Sequence, residues 1–195
     1  MQKNIIKLIF IFIFIFLLST NVMSKAIDEI NFITENYPPF NFKEEGKIQG
    51  ISVDILLLML KEVQSKQSRK DIKILPWARG YSYLQTLKNT ALFSTTRTVQ
   101  RENLFKWVGP ISQTTISLIA RKDNHIKINS IHDIHKYTTG VVRDDIGEHL
   151  LLNKGIEKSH FERTGGIDAI KKLIKMLDKN RFDVISFEKT LPYGK

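Results

Sequence analysis

His132 and His135 stand three residues apart with Asp133 between them, so one face of a short helix there would offer two imidazoles to a metal ion. No third ligand accompanies them at a metal-binding spacing, and a solvated helix face is the plainer reading. The five histidines are otherwise scattered, and none sits in an H-E-x-x-H or G-x-S-x-G context. The chain has no cysteine, which excludes disulfide scaffolds, Cys-ligated zinc, iron–sulfur clusters and thiol nucleophiles. Arg101 follows the polar run Ser94-Thr95-Thr96-Arg97-Thr98, and a guanidinium donates two parallel hydrogen bonds in the geometry a carboxylate accepts. Read alone, that run is a solvated loop. Asp145 precedes an apolar helical pattern and suits an N-cap, where the helix dipole stabilises its charge.

The elements that must hold these residues alternate between strand and helix. Asn31–Glu35 reads as a short strand ended by Asn36 and Pro38-Pro39. Gly50 opens a helix whose Ile51, Ile55, Leu58 and Met59 share a face. A strand at Ile72–Leu75, a short helix at Tyr81–Lys88 and strands at Ala91–Phe93 and Phe105–Val108 follow, the last stopped by Gly109-Pro110. The pattern then restarts with strands at Thr115–Ala120, Thr138–Val142, His160-Phe161 and Phe182–Phe187. Between them lie helices at Ile131–His135 and Asp145–Leu152. A clean amphipathic stripe of Ile167, Ile170, Leu173, Ile174 and Leu177 carries lysines on its wet side. The expectation is an α/β fold in two successive lobes, residues 27–111 and 120–195, joined through residues 112–119.

The 195 residues, 42% of them apolar and 26% charged, exclude both a disordered chain and a large multidomain enzyme. At the N-terminus, Lys3 and Lys7 precede an unbroken apolar run, Leu8–Leu18, with no acidic residue before Asp28. That run is too short to span a bilayer and fits a secretory signal cleaved near Ala26. An uncleaved anchor is the alternative. Removing residues 1–26 leaves 27 basic and 20 acidic residues, so the +10 of the full chain becomes +7. The basic residues are interspersed with acids and no nucleic-acid-binding motif accompanies them, so nucleic acid is not an expected partner.

Three stretches together resemble the family 3 extracellular solute-binding proteins, the receptors of polar amino acid ABC importers. They are NYPPFNFKEEGKIQGISVDIL (36–56), PWARGY (76–81) with FSTTRTVQRENLFKWVGPI (93–111), and GVVRDDIGEHL followed by RFDVISFE. The resemblance implies a two-lobed, flytrap-like α/β fold of the periplasmic binding-protein type II. Its ligand, a small polar molecule such as an amino acid, would lie between the lobes. It further implies a monomeric, exported, periplasmic protein without cofactor or catalytic activity, delivering that ligand to an ABC permease. Family members continue beyond the strand matching Phe182–Phe187, so a C-terminally truncated second lobe is expected, and a non-functional truncated homologue is one alternative. The same fold also serves as the ligand-sensing domain of membrane receptors, which is the other.

Carried onto this chain, the resemblance makes Arg101 the clamp for a ligand carboxylate, with Ser94 and Thr96 as added donors. Glu188 takes the place of the acid that holds the α-ammonium. Tyr37 and Trp77 become the aromatic walls, and Arg79 is expected to reach the cleft from the same PWxR stretch. In the second lobe many relatives place a Gly-Ser/Thr turn, where this chain has Arg143-Asp144-Asp145-Ile146-Gly147. Asp145 then occupies the helix N-terminus at which an anion would otherwise dock, which disfavours a carboxylate there and favours a cationic group.

Overall fold

The computed structural model describes residues 26–189. The expected leader lies outside them up to residue 25. The first lobe is built on β1 (Asn31–Thr34), which lies between β4 (Lys73–Ile74) and β5 (Thr90–Leu92), all three parallel. Phe42–Glu44 (β2) and Lys47–Gln49 (β3) form a hairpin whose two turn residues, Glu45 and Gly46, both have positive φ. Helix α1 (Ile51–Glu62) then packs Val53, Leu56 and Leu60 against Phe32 and Ile72. Its entry needs glycine: Gly50 has φ 124°, and a Cβ there would run into the Phe40 carbonyl.

Helix α2 spans Trp77–Thr86, one turn earlier than the sequence pattern indicates. Gly80 lies mid-helix where α2 faces β1 and β5, and an added Cβ would meet Leu92 Cδ1 at an ordinary contact distance of 3.4 Å. The strand expected at Phe105–Val108 does not form. Its alternating pattern is satisfied differently, by ring-edge packing of Phe105 on Tyr81 at 5.7 Å and on Trp107 at 6.1 Å, with Val108 left exposed.

In the second lobe, β6 (Ile116–Ala120), β7 (Thr139–Val142), β8 (Phe161–Thr164) and β9 (Val184–Glu188) form a sheet of order β6-β9-β7-β8. β9 runs antiparallel to β6, from Ile116 opposite Glu188 to Ala120 opposite Val184, and parallel to β7. Helices α3 (Ile146–Asn153) and α4 (Ala169–Asp178) cover it. The α4 stripe turns Ile170, Leu173 and Leu177 onto Val142, Phe182, Ile185 and Phe187, whereas Ile167 precedes the helix and stays exposed. Ile131–Lys136 is a 3-10 turn rather than an α-helix.

Among the described residues the lobes touch around Tyr37 and around Trp77. Tyr37 and Phe40, in the turn after β1, pack on the α4 core, with the Tyr37 and Phe187 rings edge to face at 5.5 Å. The Trp77 indole Nε1 donates to the Asp144 carbonyl at 2.7 Å. Residues 116–119 of the expected hinge span lie in β6, and Lys189 N–H ties back to the Thr115 carbonyl at 2.9 Å. Among the described residues no helix is long and apolar enough to cross a membrane.

Candidate functional site

Polar side chains collect where the parallel strands end. β1 leads into Glu35 and Tyr37, β5 into Ser94 and Thr96, β7 into Asp144 and Asp145, and β9 ends at Glu188. Carboxyl ends of strands in open α/β sheets are where backbone groups and helix N-termini are left free to meet a ligand.

Arg101 is the cation of this cluster and is only 4% exposed. A turn starting at Thr98 places it, Arg101 N–H donating to the Thr98 carbonyl at 3.0 Å. Its Nη1 donates to the Thr96 carbonyl at 3.1 Å, and the guanidinium lies over the Trp77 and Tyr81 rings at 5.2 and 5.0 Å. Trp77 and Tyr81 are successive turns of α2, stacked at 5.6 Å, so that helix supplies a two-ring shelf. Arg101 Nη2 is buried without a hydrogen-bond partner, and so is Ser94 Oγ, on a residue with φ 59°. A buried donor left unpaired costs about 1–3 kcal/mol, so both atoms favour an incoming acceptor.

Opposite stand carboxyls. Burial, reinforced by the nearby Asp145 and opposed by Arg101, holds Glu35 well above the usual carboxylate range. Asp145 is at the N-cap of α3, yet its side chain makes no capping bond. Burial pushes its carboxyl up to about 6, against the pull of the Ile146 N–H and of Arg101, with Glu148 and Glu188 adding to the rise. The Tyr37 hydroxyl donates to Glu188, and burial followed by that bond raises the phenol strongly. Beside Glu35, Asn41 is fully buried; its amide donates to the Glu35 carbonyl at 2.8 Å while its Oδ1 has no partner.

The loop carrying Asp144 and Asp145 is braced from behind. Asp144, at φ 59°, donates its N–H to Glu148 Oε2 at 2.5 Å. Arg163 Nη2 reaches both Asp144 Oδ1 at 2.9 Å and Glu148 Oε2 at 3.0 Å, and Glu148 is 1% exposed. Gly147 lets the start of α3 press on β9, since a Cβ there would be 2.5 Å from the Ser186 carbonyl.

Of the residues singled out in the sequence, Arg101, Ser94, Thr96, Tyr37, Trp77, Asp145 and Glu188 fall in or beside this cluster. Arg79 does not: it is exposed on α2, two positions from Trp77 and therefore on another side of the helix. Glu35, Tyr81 and the Glu148–Arg163 brace escaped the sequence reading. Tyr81 was visible as an aromatic four residues after Trp77, and Glu35 as an acid ending an apolar strand. His132 is exposed, and His135 meets His160 at 4.9 Å on the second lobe; among the described residues no three metal-ligating side chains cluster.

Residues 30–179 match the family of bacterial extracellular solute-binding proteins, family 3. The chain belongs to that family. A probable amino-acid-binding protein, YxeM of Bacillus subtilis (strain 168), is 27% identical over 125 residues, covering 63% of this chain and 46% of its own length. The chain therefore spans less than half of that curated relative. Among solved structures, an ancestral arginine-binding protein bound to glutamine aligns with a TM-score of 0.64 at 20% identity, over 82% of this chain and 68% of that one. The solute receptor for L-cysteine of Neisseria gonorrhoeae gives 0.67 at 16% identity, over 85% and 67%. At such identities the likeness establishes the fold, two α/β lobes of the solute-binding type.

Proposed function

We propose that this family 3 protein binds a small amino acid between its lobes outside the cytoplasm and presents it to an ABC import permease. The observation that carries the reading is Arg101, a buried guanidinium shelved on two rings with Nη2 unpaired beside an unpaired Ser94 hydroxyl. A ligand carboxylate supplies the acceptors both lack. Glu188, held by Tyr37 at the lobe junction, is the acid nearest in role to an α-ammonium partner. YxeM and the ancestral arginine-binding protein are both named as binders of amino acids, which supports the same ligand class here. Closure follows from differential affinity: a ligand touching Arg101 in one lobe and Glu188 or Asp145 in the other stabilises the closed state over the open one. Arg101→Ala is expected to weaken amino acid binding by more than about tenfold in isothermal titration, with the thermal transition retained. Unchanged affinity in that variant overturns the carboxylate assignment.

A further inference from the structure

An open cavity lies away from the cleft, at the opposite end of the second sheet. β7 and β8 pair in parallel, and the 3-10 turns Ile131–Lys136 and Lys158–His160 deliver the chain to their amino ends. These turns set His135 and His160 side by side, ring centres 4.9 Å apart and planes at 62°, on the wall of a cavity of about 330 Å³. Each histidine adjoins a core anchor. His135 follows Ile134, His160 precedes Phe161, and both anchors are buried in one apolar cluster, which fixes the backbone beneath the rings. His160 Nε2 lies 3.0 Å from the Ile134 carbonyl. A carbonyl only accepts, so Nε2 carries the proton and Nδ1 keeps its lone pair, the arrangement that metal-ligating histidines take from the same kind of bond. Among the described residues no hydrogen bond holds the His135 ring. Lys136 beside it is ion-paired with Asp133, and Glu162 lines the same cavity, so the local charge does not repel a cation.

We propose that His135 and His160 hold a first-row divalent transition-metal cation, copper(II), nickel(II) or zinc(II), with water completing its shell. Imidazole nitrogen suits these ions, whereas magnesium and calcium seek oxygen. An ion about 2.0–2.1 Å from one nitrogen of each ring, with its two bonds at about 90–110°, sets the ring centres about 4.5–5.2 Å apart. The observed 4.9 Å falls inside that span. Edge-to-face rings also sit at such distances, but the fixed tautomer of His160 and the open cavity beside both rings are what an incoming ion needs. Among the described residues no third His, Asp or Glu joins the pair, so the site is a reversible two-pronged one rather than a closed structural one. The structure thus pairs His135 with His160, and not with the His132 that its spacing suggests. The ion ties the turn before β7 to the turn before β8. It leaves the cleft at the far ends of those strands untouched, so the proposal stands apart from the amino-acid-binding reading.

Isothermal titration of the full chain with the chlorides of copper(II), nickel(II), zinc(II) and magnesium tests this. About one equivalent of each transition-metal ion is expected to bind, copper(II) the most tightly, and magnesium at least about a hundredfold more weakly than copper(II). His135→Ala and His160→Ala should each weaken copper(II) binding by at least about tenfold, whereas His132→Ala should change it by less than about twofold. Electron paramagnetic resonance of copper(II) on the unaltered chain should show two bound imidazole nitrogens, which decides the matter if either variant fails to fold. Failure of all three transition-metal ions to bind overturns the proposal, as does binding that survives either substitution or a spectrum with fewer than two imidazoles. A loss in His132→Ala equal to that in His160→Ala overturns it too, because the ions would then be collecting on surface histidines without a site. None of these failures touches the amino-acid reading, whose own test is the Arg101→Ala titration.

Discussion

The two lobes hide their apolar residues to different degrees. In the second, Leu173 and Ile134 are fully buried, Phe182 and Phe187 nearly so, and only Leu150 and Ile167 are exposed among its large described hydrophobics. The first leaves Leu58, Leu104, Val108, Ile111 and, at 88% exposure, Val99 in solvent around a sheet of three short strands. The deeper core therefore lies in the lobe that supplies fewer residues of the candidate site. Most of the candidate site belongs to the first lobe, which meets its neighbour through Tyr37 and Trp77.

The largest expected effect probes the second lobe. Leu173→Ala opens a cavity beneath α4 and should cost about 2–5 kcal/mol in urea unfolding followed by circular dichroism. A loss below about 1 kcal/mol would mean that α4 packs loosely and that the contrast between lobes is smaller than the burial indicates. The seam comes next. Trp77→Phe keeps the ring shelf for Arg101 but deletes the bond to the Asp144 carbonyl, for an expected loss of about 1 kcal/mol and weaker ligand affinity. Both tryptophans, Trp77 and Trp107, lie in the first lobe, so their fluorescence should change at lower urea than the far-ultraviolet signal. Coincident transitions would show that the lobes unfold as one unit.

Acid dependence has a definite sign. Asp145 titrates at about 6 in the folded chain against a usual value of 3.8, so the folded form holds the proton more tightly. Its contribution to stability is present below the usual value and is lost as pH rises through about 6. Thermal melts of the ligand-free protein should therefore fall between about pH 4 and 6, and Asp145→Asn should flatten that slope. An unchanged slope would remove Asp145 as its source. The smallest effect is expected at the first lobe's surface, where Leu58→Ala should stay within about 0.5 kcal/mol in the same urea titration.

Periodicity made the second lobe easy to read. The α4 stripe, the fully buried β9 and the turn before α3 all follow from local spacing, because α4 buries one whole face and β9 both. Phe105–Val108 misled because alternation records which side chains are wanted inside, and rings can satisfy that without a sheet partner. Tyr81 escaped because what gives it a role, the Arg101 guanidinium over its ring, lies far off in sequence. The acids divide in the same manner. Glu188 and Asp145 stood out through the resemblance, whereas Glu35 acquires its meaning only from the approach of the second lobe, which no local pattern encodes.

The order of the second sheet also governs how the chain can be made. β9 lies between β6 and β7, yet it is the latest of the described strands in the chain. A ribosome or a translocation pore releasing the chain from its N-terminus delivers β6, β7 and β8 before the strand that must separate two of them. Ile116 thus waits for Glu188 before it can pair, and such distant pairings close slowly. The lobe with the deeper core is the one whose sheet cannot close until β9 has emerged.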